Sequence, residues 1–205
     1  MSDSTQVDDP IEALWQEADE AAKKGNILKV LSVLILLAGK GIWQAYARIG
    51  EIYEAGSVGV ERDIPHALSW YRRAVFEGDD PVAHVGLGRA YYDGAGVERD
   101  FSKARYHFQK AFLAKKPEAG IYLGIMHYFG VGAPRDPNKA REYFEFAASS
   151  EYFVAYGYLA RIEFSRGSPL KAAKLALKGW QLMARITRQD SHDPRLLGIE
   201  RPHHP

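Results

Sequence analysis

The chain repeats one motif at a nearly constant spacing. The middle copy runs from Ala83 to Ala104 and contains a Leu-Gly pair, a tyrosine, a Gly-x-Gly loop, an aspartate and a Lys-Ala pair. The next copy begins at Ala119, a step of 36 residues, and an earlier copy begins at Ala45. Self-similarity at a period of about 20 to 50 residues is typical of stacked repeat proteins. Because such arrays offer a long binding surface, the motif favours a binding protein over an enzyme.

Each repeat is predicted to contain two helices. In the middle copy, Ala83, Leu87 and Tyr91 recur at helical spacing and mark one face of the first helix. Glycines end that helix, and an aspartate begins the second helix as its N-cap. A glycine inside the first helix costs about 1 kcal/mol relative to alanine, so it predicts a close approach by a neighbouring helix. The residues assigned to these structural roles are Gly50, Gly88 and Gly124 inside the first helices, Gly94, Gly96, Gly130 and Gly132 in the loops, and Asp63, Asp100 and Asp136 at the caps.

The motif weakens toward both ends of the chain. Upstream, two apolar helical patterns joined by Gly25-Asn26 form an incomplete repeat that suits an N-terminal cap. Downstream, the fourth copy has lost its Gly-x-Gly loop and its capping aspartate, which predicts that it closes the array. We therefore divide the chain into a flexible N-terminus (1–9), a capping helix pair (10–44), three repeats (45–82, 83–118 and 119–154), a degenerate C-terminal repeat (155–187) and a flexible tail (188–205).

These residues resemble the Sel-one-like repeat family, a branch of the tetratricopeptide superfamily. The matching letters of the middle copy are Leu87-Gly88, Tyr91, the loop from Gly94 to Val97, Asp100 and Lys103-Ala104. The third copy departs from the pattern with His127 in place of tyrosine and Ala133 in place of valine, and the first copy has His66 in place of lysine. The resemblance implies an all-α fold, a right-handed α-solenoid of antiparallel helix pairs. It also implies an adaptor that assembles protein complexes, often at bacterial envelopes, in signalling or in secretion.

Composition narrows the class of partner. The formal net charge is +1, so the chain has no basic excess with which to neutralise a nucleic-acid backbone. The absence of cysteine leaves no disulfide framework and no thiolate metal site. Residues 1–10 are polar and acidic, unlike a secretory signal, and the most apolar run, Ile27 to Ala38, is shorter than the roughly 20 residues that span a bilayer. We expect a cytoplasmic protein with a protein partner, no nucleic acid and no membrane insertion, although a periplasmic location stays open.

No motif indicates catalysis, a cofactor or a metal. The Gly94-x-Gly96 loop lacks the preceding strand and the third glycine of a phosphate-binding loop. The run from Ser191 to Asp193 cannot form a catalytic triad, because a triad needs groups that converge from separate segments. His203 and His204 would make only a weak, open metal site. We therefore predict no catalytic residues, no metal ligands and no cofactor.

The resemblance places the first helix of each repeat on a concave face, and a partner would bind there. Tyr92, Tyr128 and Phe164 would form an aromatic track bracketed by Arg89 and Arg161. Aromatic and arginine side chains dominate binding hot spots, so we expect an extended peptide or helix with an apolar stretch and a carboxylate. The alternative is that this row packs against neighbouring repeats. The full candidate set is Glu51, Glu54, Val85, Arg89, Tyr92, Asp93, Ile121, Ile125, Tyr128, Phe129, Arg161 and Phe164.

Three functional classes remain open from the sequence. The first is a protein–protein interaction adaptor that binds its partner in the concave groove. The second is an immunity or inhibitor protein that binds and neutralises a secreted bacterial effector, for which a tight, nanomolar interface is expected. The third is an enzyme or a metal-binding module, which titration calorimetry with zinc or copper would test. The sequence does not determine the oligomeric state.

Overall fold

A computed structural model of the chain describes residues 10–189. Residues 1–9, expected to form a flexible N-terminus, lie outside the described part. So do residues 190–205, which hold most of the expected tail, with Ser191, His192, Asp193, His203 and His204.

The described part of the chain is built from helices. Residues 10–189 contain ten helices and no strand, so the predicted all-α fold of successive helix pairs is confirmed. The last helix continues to Gln189, and residues 188 and 189, expected in the tail, are therefore helical. In chain order the helices are α1 (Pro10–Lys23), α2 (Ile27–Gly39), α3 (Gln44–Ala55), α4 (Ile64–Gly78), α5 (Pro81–Asp93), α6 (Phe101–Leu113), α7 (Pro117–Phe129), α8 (Pro137–Ser149), α9 (Phe153–Ser165) and α10 (Pro169–Gln189).

The chain divides into two compact units, with the boundary inside α5 between Ala90 and Tyr91. In the first unit, α2 packs on α1 and α3, and α3 packs on α4. In the second unit, α6, α7, α8 and α9 each pack on the next helix in the chain. Each unit has its own fully buried core. The largest buried side chains are Leu34, Leu37, Tyr46, Ile49 and Tyr71 in the first unit, and Phe108, Ile121, Leu123, Ile125, Met126, Phe144 and Ile162 in the second.

Aspartate side chains begin the second helix of each repeat. Oδ1 of Asp100 accepts hydrogen bonds from the backbone N–H groups of Ser102 and Lys103, both at 3.0 Å. Asp136 accepts the equivalent pair at the start of α8, and Asp63 accepts one from His66 at 2.9 Å. These backbone hydrogen bonds lower the pKa of Asp100 and Asp136. The caps therefore satisfy N–H groups that have no partner within the helix.

Glycines in the first helices make room for aromatic rings from the second helices. A Cβ added at Gly50 would lie 2.6 Å from Cε1 of Tyr71, and one added at Gly124 would lie 2.6 Å from Cε1 of Phe144. Gly88 is buried at the matching position of α5. Glycine is required in the Gly-x-Gly loops for a different reason. Their four glycines, Gly94, Gly96, Gly130 and Gly132, all have a positive φ that favours this residue.

The turn that joins each repeat to the next holds a residue other than glycine in the left-handed conformation. Asp79, Lys115 and Glu151 have φ values of 45°, 62° and 62°, and they follow one another at steps of 36 residues. Positive φ is uncommon outside glycine, and its cost is borne only where the surrounding structure requires it. The same left-handed turn therefore recurs between successive helix pairs although the residue at the turn differs each time.

Candidate partner-binding surface

Four of the candidate residues belong to the core of their units. Ile121 and Ile125 have no exposed surface, and Val85 and Tyr92 are buried as well. The Tyr92 ring packs edge-on against Phe101 at 5.6 Å and Tyr122 at 5.5 Å. A side chain enclosed in this way cannot contact a partner, so the expectation that Tyr92 lies on an exposed aromatic track is wrong. These four residues instead fit the alternative hypothesis, in which the side chains pack against other elements of the array.

A second group of candidates lies at the surface of the second unit. Phe164 is 69% exposed, Arg161 is exposed, and Tyr128 and Phe129 are half-buried. Phe164 follows Arg161 by three residues on α9, so the two side chains share one face of that helix. We call these four residues the aromatic–arginine patch. Asp93, at the end of α5, is also exposed.

Tyr158, which was not among the candidates, connects three members of the patch. Its ring contacts Tyr128 at 5.7 Å and Phe129 at 6.3 Å, and the guanidinium of Arg161 lies 5.5 Å from its centroid. Its other face stacks on Phe144 at 4.7 Å with an interplanar angle of 4°. Tyr158 is therefore a core residue that fixes the positions of the surface residues around it.

The spacing of the repeat contained a signal for Tyr158. It stands 36 residues after Tyr122, which stacks in the same way on Phe108 at 4.5 Å. The equivalent residue one step earlier is Gly86, and a Cβ there would lie 2.4 Å from Cε2 of Tyr71. Gly86, Tyr122 and Tyr158 therefore stand at equivalent positions of the repeat. Two of them stack on a ring, and the glycine lies against one.

Two candidates of the first unit, Glu54 and Arg89, form a polar cluster with Tyr71. The Tyr71 hydroxyl donates to Oε2 of Glu54 at 2.6 Å, and Arg89 forms an ion pair with the same carboxylate. Burial, together with the Glu54 carboxylate, raises the pKa of Tyr71, so the hydroxyl keeps its proton and remains a donor. Since the buried Tyr71 hydroxyl and the half-buried Glu54 and Arg89 bind one another, they serve first to hold α3, α4 and α5 in register.

Glu51 lies at a different place, on the rim of a cavity in the first unit. The cavity measures about 320 Å³ and lies between α1, α2 and α3. Arg48 and Asp19, 3.4 Å apart, stand beside it. A volume of this size with an apolar lining and a charged rim suits a large apolar side chain. The lining residues are Ala18, Asp19, Ala22, Ile27, Val30, Leu34, Arg48, Glu51, Ile52, Ala55, Gly56 and Ser57.

Histidines pair with aromatic rings at matching positions of successive repeats. Tyr91 stacks on His107 at 5.8 Å, and 36 residues later His127 stacks on Tyr143 at 5.7 Å, with the two ring types exchanged. Nδ1 of His127 lies 3.2 Å from the carbonyl oxygen of Pro134, to which it donates. The histidine that departs from the repeat pattern is therefore a packing residue.

Replacing His127 by tyrosine is expected to reduce the loss of stability in acid. Burial lowers the pKa of His127 below its usual 6.5. The hydrogen bond to Pro134 and the charge of Asp136 oppose part of this effect, and Lys139 and Arg105 add to it. A folded-state pKa below the unfolded value gives stability that is present above pH 6.5 and lost as the pH falls through the folded pKa. Thermal unfolding of wild type and His127→Tyr at stepped pH measures this. A constant difference in Tm across the series would contradict the prediction.

Glu163 occupies the position in the fourth repeat that His127 occupies in the third, and it is buried among cations. Its Oε1 lies 3.1 Å from Nζ of Lys171, 3.5 Å from Arg141 and 4.0 Å from Arg166. The hydrogen bond from Lys171, with the charges of the two arginines, lowers the pKa of Glu163. The carboxylate thus connects α8, α9 and α10 where the shortened loop has no Gly-x-Gly motif.

Within residues 10–189 no group of three or more histidine, aspartate or glutamate side chains is placed to hold a metal ion. None of the helices described is both long enough and apolar enough to cross a membrane.

Comparisons with known proteins agree with this architecture. A curated relative, the ERAD-associated E3 ubiquitin-protein ligase component HRD3B of Arabidopsis thaliana, is 34% identical over 99 residues. That match covers 47% of this chain and 15% of the relative, so the chain corresponds to a small part of that protein.

Solved structures share the fold at lower identity. A Sel1 repeat protein from Oxalobacter formigenes superposes with a TM-score of 0.72 at 24% identity, over 84% of this chain and 74% of that one. The protective antigen c5321 of uropathogenic Escherichia coli, which displays an SLR fold, has a TM-score of 0.67 at 23% identity, over 93% of this chain and 43% of that one.

The family model of the Sel1 repeat matches three stretches of the chain, residues 43–78, 81–114 and 117–152. Each stretch begins two residues before the corresponding repeat that the sequence motif defines. Together they cover more than half of the chain. The chain belongs to the Sel1 repeat family.

Proposed function

We propose that the protein is an adaptor that binds a peptide or protein partner. Sel1 repeats typically mediate protein–protein interactions, and the repeat model covers most of residues 43–152. The observation that carries the proposal is the aromatic–arginine patch of the second unit. There the exposed Arg161 lies over the ring of Tyr158, which contacts the half-buried Tyr128 and Phe129. The exposed Phe164 stands three residues after Arg161 on the same helix.

The chemistry of the patch defines the partner segment. Phe164 and the exposed parts of Tyr128 and Phe129 offer apolar area with few rotatable bonds, which favours aliphatic or aromatic side chains of a partner. Arg161 offers a planar guanidinium that binds a carboxylate through two parallel hydrogen bonds. An apolar segment that carries an aspartate or glutamate fits both requirements.

The first unit offers a second type of contact. Its apolar cavity of about 320 Å³ has room for one large side chain, and Arg48, Asp19 and Glu51 stand at its rim. The polar cluster of Glu54, Tyr71 and Arg89 is less suited to a partner, because its groups already bind one another. We therefore propose the cavity as the binding element of this unit.

Alanine at both Arg161 and Phe164 is expected to weaken partner binding at least tenfold, since hot-spot truncations typically cost more than about 1–2 kcal/mol each. The measurement is affinity capture from the native lysate with wild type and the double variant, followed by titration of the captured protein. The matched control is Phe76→Ala. Phe76 is 89% exposed, but it lies on α4, the second helix of its repeat. Unchanged capture by a folded Arg161→Ala/Phe164→Ala variant would overturn the proposal.

The immunity or inhibitor function stays a prediction. Co-expression of the chain with secreted effectors encoded beside it would test this function, and rescue of growth is the expected result. Rescue that is lost in the Arg161→Ala/Phe164→Ala variant would place the effector on the same patch.

A further inference from the structure

Helix α6 exposes apolar side chains where the equivalent helix of the next repeat is polar. Tyr106 is 53% exposed and Leu113 is 75% exposed, and both lie on the outward row of this helix. Since α8 forms the same helix with a polar outward row, the fold itself does not require a tyrosine and a leucine at these positions. The row of α6 consists of Ser102, Tyr106, Gln109 and Leu113, and the row of α8, at a step of 36 residues, consists of Asn138, Glu142, Glu145 and Ser149.

The stretch of chain that carries this row is basic. Residues 101–116 contain five cationic side chains and no aspartate or glutamate. Helical spacing places Lys103 and Lys110 on one side of the row and Arg105 on the other, so cations border the exposed tyrosine and leucine on both sides. Lys103 also pairs with the cap Asp100 at 3.3 Å. The five cations are Lys103, Arg105, Lys110, Lys115 and Lys116.

The next repeat shows that this charge is not a property of the fold. Residues 137–152 carry two cations and three carboxylates where residues 101–116 carry five cations and no carboxylate. On α8, Arg141 pairs with a glutamate at 2.7 Å, whereas the equivalent Arg105 is followed by an amide. Lys115 and Glu151 hold the same left-handed turn at φ 62°. The three glutamates Glu142, Glu145 and Glu151 correspond to Tyr106, Gln109 and Lys115.

We propose that the exposed face of α6 binds the surface of an anionic phospholipid membrane. Leu113 and Tyr106 enter the headgroup region from a helix that lies along the surface, while the surrounding cations are attracted to the negative lipids. Tyrosine suits this depth, because its ring is apolar and its hydroxyl stays in contact with water. The apolar and the cationic side chains of this face therefore act together on one partner.

The side chains of this face favour lipid over other anionic partners. Four of the five cations are lysines. A lysine ammonium is a compact charge without a preferred partner geometry, which suits mobile headgroups, whereas the carboxylates of a protein partner favour the planar fork of arginine. Binding to nucleic acid without sequence preference rests on phosphate contacts, to which the exposed Leu113 adds nothing.

Cosedimentation of the full chain with vesicles tests this binding. We expect wild type to bind vesicles of phosphatidylcholine mixed with phosphatidylglycerol at least about tenfold more tightly than vesicles of phosphatidylcholine alone, since each cation near a negative surface adds affinity. The preference should shrink as salt screens the charges. Arg161→Ala/Phe164→Ala should bind vesicles like wild type, so this inference and the adaptor proposal can fail independently.

The next repeat supplies the substitutions for the test. Tyr106→Glu/Leu113→Ser gives α6 the residues that α8 has at those two positions, and Gln109→Glu/Lys115→Glu does the same for the charge. Because α8 and the turn after it carry these residues on an equivalent backbone, both variants should fold. Each is expected to bind the anionic vesicles at least about tenfold more weakly than wild type.

The matched control makes the same change of net charge on α4. Ser69→Glu/Arg72→Glu alters two exposed positions that correspond to Tyr106 and Gln109 at a step of 37 residues. It should bind the anionic vesicles like wild type, because it leaves α6 unchanged. An equal loss in this control would show that binding follows the net charge of the chain, which would contradict a site on α6.

Other results would also overturn the proposal. Wild type could bind neither kind of vesicle or both kinds equally, or the two α6 variants could bind like wild type while showing wild-type circular dichroism. Binding of polyglutamate instead of vesicles, if it is lost in Gln109→Glu/Lys115→Glu, would assign the face to an acidic protein segment and not to lipid.

Discussion

Phe144→Ala is expected to lower the free energy of unfolding by about 3–5 kcal/mol, the range observed when a buried phenylalanine is truncated. The Phe144 side chain is fully buried. One of its faces stacks on Tyr158, and its edge fills the space left by Gly124. Truncation therefore leaves a cavity between α7, α8 and α9 that rigid neighbouring helices cannot close. A loss of this size is a large fraction of the stability of a typical domain.

Urea denaturation followed by circular dichroism measures this loss. The control is Phe76→Ala, in which the removed ring is almost fully exposed, and a change within about 0.5 kcal/mol is expected there. A loss below about 1 kcal/mol in Phe144→Ala would show that the ring stack contributes little to the second unit.

Gly50→Ala is expected to destabilise the first unit by about 1–3 kcal/mol, the usual cost of overpacking a core. The added methyl group would lie 2.6 Å from the Tyr71 ring, which cannot move away. Gly86 borders the ring on its other side, and the hydroxyl is held by Glu54. The clash therefore exceeds the gain of about 1 kcal/mol that alanine brings to a helix.

Gly157→Ala is the matched control for this prediction. Gly157 also lies inside a first helix, α9, but nothing stands within 4 Å of the position that its Cβ would occupy. The same substitution should therefore stabilise the protein there, by up to about 1 kcal/mol. In a Tyr71→Leu background the cost of Gly50→Ala should shrink, because the smaller side chain makes room. Equal effects of the two glycine substitutions would contradict the role of Tyr71.

The positions of the helices could be predicted because the interactions that define them are local. Asp100 caps the N–H groups of residues two and three positions further on, and the loop glycines adopt positive φ within a few residues of the helix end. Such signals need only the neighbouring residues, so they can be read in a sequence. The handedness with which the helix pairs stack stays a prediction.

The candidate surface could be predicted only in part. The spacing of the repeat places Tyr92, Tyr128 and Phe164 in one column, yet they range from buried to 69% exposed. The exposure of each residue depends on which side chains contact it. Phe101 and Tyr122 enclose Tyr92, while no ring of the described part of the chain is shown against Phe164 at the end of α9. Periodicity therefore identifies equivalent backbone positions without fixing the environment of their side chains.

By itself, the sequence determined the repeat, its helix pairs and the glycine and aspartate residues that begin and end them, because these depend on contacts within one or two helical turns. Only the tertiary structure decided which of the residues at equivalent repeat positions form the core and which reach solvent. It also revealed the cation cluster around Glu163 and the left-handed turns at Asp79, Lys115 and Glu151. The physical reason is that burial and turn strain depend on contacts between helices, which residue spacing along the chain does not specify.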